Sequence, residues 1–114
     1  MAGLEGAPNG GGWNLAVPCN DGSQGLSAVG RYESHAFGLQ DVLGNAWEWS
    51  ADCHGAYAGA RGDGGAVDKA NCRARVMRGA SWIYSAAWLR SANRDGDAPS
   101  SRFGGSGFRL ALDR

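Results

Sequence analysis

Twenty glycines and only three prolines in a chain of 114 residues set the first constraint on what can fold. Such a glycine load ordinarily accompanies disorder. Here it is spread among five Trp, three Tyr and three Phe, which supply the large apolar surface that disordered chains lack. The expected product is a loop-rich fold around one compact aromatic core. The length suits a single domain over residues 1–114.

Charge and hydropathy remove several function classes. The formal net charge is zero, so no overall basic field favours nucleic acid or an anionic membrane, and nucleic acid is not an expected partner. No apolar run reaches the length of a membrane span, roughly 18 residues. Residues Met1 to Gly12 have neither a basic start nor an apolar stretch, so no retained signal peptide is expected.

Along the chain, residues 1–30 read as loops with at most one short strand, carrying isolated apolar residues such as Trp13, Leu15, Val17 and Leu26. From Trp47 the pattern alternates, with Trp47, Trp49 and Ala51 on one face and Glu48, Ser50 and Asp52 on the other, as a half-buried strand requires. Further strands are expected at Arg75 to Trp82, Leu89 to Arg94 and Gly107 to Asp113, the last placing Phe108, Leu110 and Leu112 inward. A short helical turn is possible at Gly38 to Leu43. The stretch His54 to Asn71 reads as a long surface loop, which in a small domain needs a staple or a function. Cys53 and Cys72 bracket it and are the preferred disulfide pair, with Cys19 left over; three free thiols in a reducing compartment is the alternative.

Four ordered motifs carry a resemblance. Phe37-Gly-Leu-Gln-Asp-Val-Leu-Gly-Asn-Ala-Trp-Glu-Trp49, Arg75-Val-Met-Arg-Gly-Ala-Ser-Trp82, Leu89-Arg-Ser-Ala-Asn-Arg94 and Gly107-Phe-Arg-Leu110 resemble the sulfatase-modifying, formylglycine-generating-enzyme family. The resemblance implies an α+β, loop-rich, C-type-lectin-like fold with short antiparallel strands and little helix. Residues 1–28 match it poorly and residues 75–114 hold the framework. That family's oxidases carry a reactive cysteine pair just after the glycine-serine-aromatic motif, whereas here Ile83-Tyr84-Ser85-Ala86-Ala87-Trp88 follows. Without a thiolate there is neither copper ligand nor nucleophile, so catalysis is not expected. His35 and His54 are the only histidines, too few for the three-histidine iron site of the related sulfoxide synthases.

A closer resemblance is to the variable proteins of diversity-generating retroelements, which keep a framework like that at Arg78, Gly79, Ser81, Trp82, Leu89 to Arg94, Pro99, Arg102 and Gly107 to Leu110 while the residues between are rewritten. It implies a ligand-binding, receptor- or adhesion-type module. Its binding face would comprise Ile83, Tyr84, Ser85, Trp88, Asp95, Gly96, Asp97, Ala98, Ser101, Phe103, Gly104, Gly105 and Ser106, with Tyr84, Trp88 and Phe103 partly exposed. Aromatic anchors among Ser, Gly and Ala are the mixture that recognition loops use. The partner would be a protein or other macromolecular surface, met outside the cell, at a cell surface or on a virion rather than in the cytoplasm. A degenerate enzyme domain of the same fold is the competing reading, and buried aromatics with ordinary turns the bland one.

No cofactor is required, but calcium enters as an option. Asp41, Gly44, Ala46 and Glu48 match a calcium site of the formylglycine-generating enzymes, an all-oxygen set suited to a hard cation. The alternative keeps Asp41 as a turn cap and pairs Glu48 with an arginine. A second such site would fall near Asn20 and Asp21, where the spacing departs from the family pattern. Arg61-Gly62-Asp63 spells a cell-adhesion tripeptide, which arises easily by chance in such a loop.

Overall fold

The computed structural model describes residues 21–112; the N-terminal readings at Trp13, Leu15, Val17, Cys19 and Asn20 lie outside them. Four short strands form one sheet: β1 (Trp47–Cys53), β2 (Arg75–Arg78), β3 (Asp95–Asp97) and β4 (Ser106–Gly107), in the order β3-β2-β1-β4. β1 pairs with β2 and β2 with β3 antiparallel, but β1 and β4 run parallel, so the sheet is mixed. Among the described residues, helix is limited to two 3-10 turns, Tyr57–Gly59 and Ala86–Trp88.

β1 starts where the alternation begins, because the preceding turn is fixed from several directions. Gly44 and Asn45 both have positive φ. The Asn45 amide donates to the Ser27 carbonyl (3.2 Å) and accepts from the Ser27 N–H (3.0 Å), copying a backbone ladder in a side chain. Gly44 N–H donates to the Gly79 carbonyl (2.7 Å), Trp82 N–H to Asn45 (2.9 Å) and Trp47 N–H to Gly105 (2.7 Å). This junction delivers Trp47 into the centre of the molecule, where it is fully buried.

Trp47, Met77 and Ala80 are the buried core, with Trp49, Tyr84, Leu89 and Phe103 packed against it. Neighbours on a strand point to opposite faces, yet Val76 is as buried as Met77. The second face is therefore covered too. Its cover is the loop between Cys53 and Cys72, which are bonded with Cα atoms 5.6 Å apart. The loop is laced to β1 by Cys53 N–H to Val67 (2.7 Å) and Val67 N–H to Asp52 Oδ1 (2.8 Å), and to β2 by the Asp68–Arg75 ion pair (2.8 Å).

Four expectations fail on backbone geometry. The strand from Arg75 stops at Arg78 because Gly79 (φ 90°) and Ala80 (φ 60°) turn the chain, and a Cβ at Gly79 would stand 3.0 Å from the Val42 carbonyl oxygen. Leu89 to Arg94 holds a single turn, closed by Asn93 N–H to Arg90 (2.8 Å), and the strand begins only at Asp95. Gly107 to Leu112 pairs with nothing beyond Gly107, leaving Phe108, Leu110 and Leu112 at 76%, 89% and 91% exposure. Gly38 to Leu43 makes bends rather than a helical turn, since Gly38 and Asp41 hold positive φ.

Candidate functional site

The segment after β2 folds onto Trp47. Two tight turns, Tyr84 N–H to Ser81 (3.0 Å) and Trp88 N–H to Ser85 (3.0 Å), bring Tyr84 and Trp88 edge-on to the Trp47 ring, with centroids 5.4 and 6.4 Å away and 5.3 Å from each other. Edge-to-face geometry suits the ring quadrupoles and adds about 0.5–1.5 kcal/mol per pair beyond burial. Tyr84 is thereby half-buried while Trp88 keeps 42% of its surface and Ile83 39%.

The following segment is fastened from beneath by arginines. Arg78 donates to the carbonyls of Ser91 (2.6 Å) and Asn93 (2.7 Å), Arg90 to Ala87 (3.0 Å) and Arg94 to Gly55 (2.6 Å). Arg94 also lies 3.7 Å over the Tyr57 ring, and the Tyr57 hydroxyl donates to the Ala92 carbonyl. Tyr57 thus ties the disulfide loop to the segment before β3. Sequence reasoning missed it, for nothing in a glycine-rich loop marks one tyrosine as a strut.

The expected binding residues do not all share one open face. Segments 81–84 and 103–105 do meet, since a Cβ at Gly105 would stand 2.7 Å from Ser81 Oγ and 3.5 Å from Ile83 Cδ1. For that reason Gly105 is buried rather than displayed. Phe103 packs on the core cluster. Asp95, Gly96 and Asp97 form the edge strand β3 instead of a loop, and Gly96 is backed by His54, whose Cγ lies 2.3 Å from where a Cβ would be. The two carboxylates turn to their own chain: Asp95 Oδ1 accepts from Gly96 N–H (2.8 Å), and Asp97 Oδ1 from Ala98 N–H (2.7 Å) and Ser101 Oγ (2.8 Å). Ser106 Oγ donates to the Phe103 carbonyl (2.9 Å). What stands open is a smaller rim of Ile83, Trp88 and Gly104; Ala98 is exposed too but follows β3, at the opposite edge of the sheet from Gly104, and Ser85 and Ser101 are half-buried.

Of the calcium set, Asp41, Ala46 and Glu48 line one cleft, where both carboxylates have protein partners. Glu48 is gripped by Arg109, whose Nε donates to Oε2 (2.6 Å) and Nη2 to Oε1, so a guanidinium already supplies the positive charge. That contact raises the Arg109 pKa further above its ordinary value. Asp41 Oδ2 accepts from Gly30 N–H (3.2 Å), and Gly44 is buried against Gly79. Among the described residues no three His, Cys, Asp or Glu side chains converge as metal ligands. Arg61 and Asp63 likewise satisfy one another, and Arg61, with the Gly65 N–H behind it, lowers the Asp63 carboxyl to about 2. No helix of the described residues is long and apolar enough to cross a membrane.

The family described as sulfatase-modifying factor enzyme 1-like domain matches residues 6–114. The inactive C-alpha-formylglycine-generating enzyme 2 of Mus musculus is 37% identical over 97 residues, 80% of this chain and 27% of its own length. The formylglycine-generating enzyme of Bos taurus is 29% identical over 96 residues, 82% of this chain and 26% of its own. Among solved structures, PvdO from Pseudomonas aeruginosa superposes with a TM-score of 0.73 at 40% identity, over 77% of this chain and 34% of that one. The chain therefore spans only about a quarter to a third of these larger proteins. By motif, fold and sequence it belongs to the sulfatase-modifying factor enzyme 1-like, or FGE-sulfatase, domain family.

Proposed function

We propose that this domain is a non-catalytic recognition module, built like the variable proteins of diversity-generating retroelements, whose ligand meets the rim at Ile83, Trp88 and Gly104. The observation that carries the reading is the use made of the stretch after Ser81-Trp82. Where the resemblance would put a reactive cysteine pair, Tyr84 and Leu89 pack on the core and Ile83 and Trp88 stand out beside them. Exposed aromatic surface over a rigid floor suits a protein or other macromolecular surface met outside the cell, with Trp88 as anchor. Arginines that hold the intervening carbonyls would let rim residues change without moving the backbone.

A second reading, a degenerate formylglycine-type domain, is favoured by the similarity to a relative named as inactive. The two differ in whether the rim varies. Sequencing the gene from independent isolates separates them: substitutions concentrated at codons 83–85, 95–98, 101 and 103–106, with a template repeat nearby, support the variable module, whereas even variation supports the degenerate domain. Mass spectrometry of a cysteine-containing sulfatase peptide incubated with the protein tests both, since conversion of cysteine to formylglycine would refute a non-catalytic role.

A further inference from the structure

The disulfide loop does not lie flat on the sheet. Between the loop and the face of β1 and β2 that carries Ser50 and Val76 runs a cleft of about 290 Å³, on the side of the sheet away from Trp47 and Met77. Three arginines line it, Arg61 from the loop, Arg78 from β2 and Arg94 just before β3, against one carboxylate, Asp52.

Two of these three cations are poorly compensated. Arg61 pairs with Asp63, but among the described residues no carboxylate lies within ion-pair reach of Arg78 or Arg94. Both meet the same phenol: Arg78 Nη1 donates to the Tyr57 hydroxyl (3.3 Å), and the Arg94 guanidinium lies 3.7 Å over the ring. Their other hydrogen bonds go to the neutral carbonyls of Gly55, Ser91 and Asn93, and Arg94 Nε is buried with no acceptor. Neutral acceptors satisfy donors but leave the charge in place. Two half-buried like charges gathered at one ring therefore carry a cost that an anion between them would offset. Asp52 has one oxygen already committed to the Val67 N–H (2.8 Å).

We infer that this cleft binds a small oxyanion, a carboxylate or phosphate group, with Arg78 and Arg94 as its counter-charges and the exposed Arg61 beside them. Guanidinium forks match the oxygens of both groups. The volume lies at the lower edge of small-molecule sites, which suits inorganic phosphate or a small organic acid. Asp52 opposes the anion and sets a ceiling on its affinity. The cleft shares no residue with the rim at Ile83, Trp88 and Gly104, so the two readings stand or fall separately.

The test titrates the full 114-residue chain, its Cys53–Cys72 bond intact, with inorganic phosphate and with acetate, each against chloride at equal ionic strength. Arginine side-chain Nε–H resonances are followed by nuclear magnetic resonance. Saturable shifts of the Arg78 and Arg94 signals are expected with at least one anion, the tighter of the two telling a phosphate-type ligand from a carboxylate. Arg94→Gln should weaken binding at least about tenfold. Asp52→Asn keeps an acceptor for the Val67 N–H while removing the negative charge, and should tighten binding about threefold to tenfold. If Arg94→Gln fails to fold, Arg61→Gln serves in its place, with a weakening of about threefold. Shifts that stay linear with both anions, or binding that the arginine variants do not weaken, overturn the inference and leave these arginines as struts.

Discussion

Two segments of similar apolar promise meet opposite fates. Residues 81–89 carry Trp82, Ile83, Tyr84, Trp88 and Leu89, and the chain packs Tyr84 and Leu89 on the core and sets one edge of Trp88 against Trp47, leaving Ile83 outside. Residues 107–112 carry Phe108, Leu110 and Leu112 in strict alternation, and all three stand in solvent. The difference does not lie in hydrophobicity or periodicity. Segment 81–89 has a ring to close on, an Arg90 side chain holding its Ala87 carbonyl and a following stretch pinned by Arg78, whereas segment 107–112 runs off the sheet edge after a single paired residue, Gly107. Burial needs a partner surface, and a sequence pattern records only readiness for one.

The largest effect that could break this comparison is expected at its centre. Trp47→Ala should cost about 3–5 kcal/mol, enough to unfold a marginal domain, since the ring is fully buried beneath Tyr84 and Trp88. Chemical denaturation would report it. Tyr84→Ser should come close to that loss and Trp88→Ser should cost only about 1 kcal/mol; equal costs would mean that Trp88 is a core residue and not an anchor. Next in size is the staple. Replacing Cys53 and Cys72 by serine should cost about 3 kcal/mol through loop closure and raise hydrogen exchange first in residues 54–71, then at Ala92 to Asp97, which Tyr57 and Arg94 tie to that loop.

Smaller again, Arg78→Ala should cost about 1.5–3 kcal/mol, because it leaves the Ser91 and Asn93 carbonyls without their charged donor. Unchanged exchange in residues 89–94 would show that the arginine anchors nothing. Smallest is the Glu48–Arg109 pair. Being partly exposed, it should contribute under about 1 kcal/mol, so Glu48→Gln should shift stability only slightly. A fall of the melting temperature on chelation that Asp41→Ala abolishes would establish the metal reading, and no change would favour the cap-and-ion-pair alternative.

How much of this was legible in the sequence follows from the same comparison. The Trp47 strand could be read because its alternation coincides with real cover on both faces. Gly107 to Leu112 has as clean an alternation and misled, for the pattern cannot show that the pairing with β1 ends at Gly107. The rim was read too generously. Gly105 looks like a spacer in sequence, but it is glycine because Ser81 leaves no room for a Cβ. Asp95 and Asp97 look like ligand groups, yet both cap their own backbone. Close approach and local capping leave no periodic trace.

The turn at Gly44 and Asn45 carries a kinetic consequence. It joins Ser27, Gly79, Trp82 and, through Trp47, Gly105, so its bonds span nearly the whole described chain. No local segment can rehearse this knot, and loop-closure entropy must be met before any of its bonds forms. Folding should accordingly be slow for so small a protein, in the millisecond-to-second range of chains dominated by distant contacts. On the ribosome the knot cannot close until Gly105 has cleared the exit tunnel, so Trp47 waits in water for more than half the chain to be made.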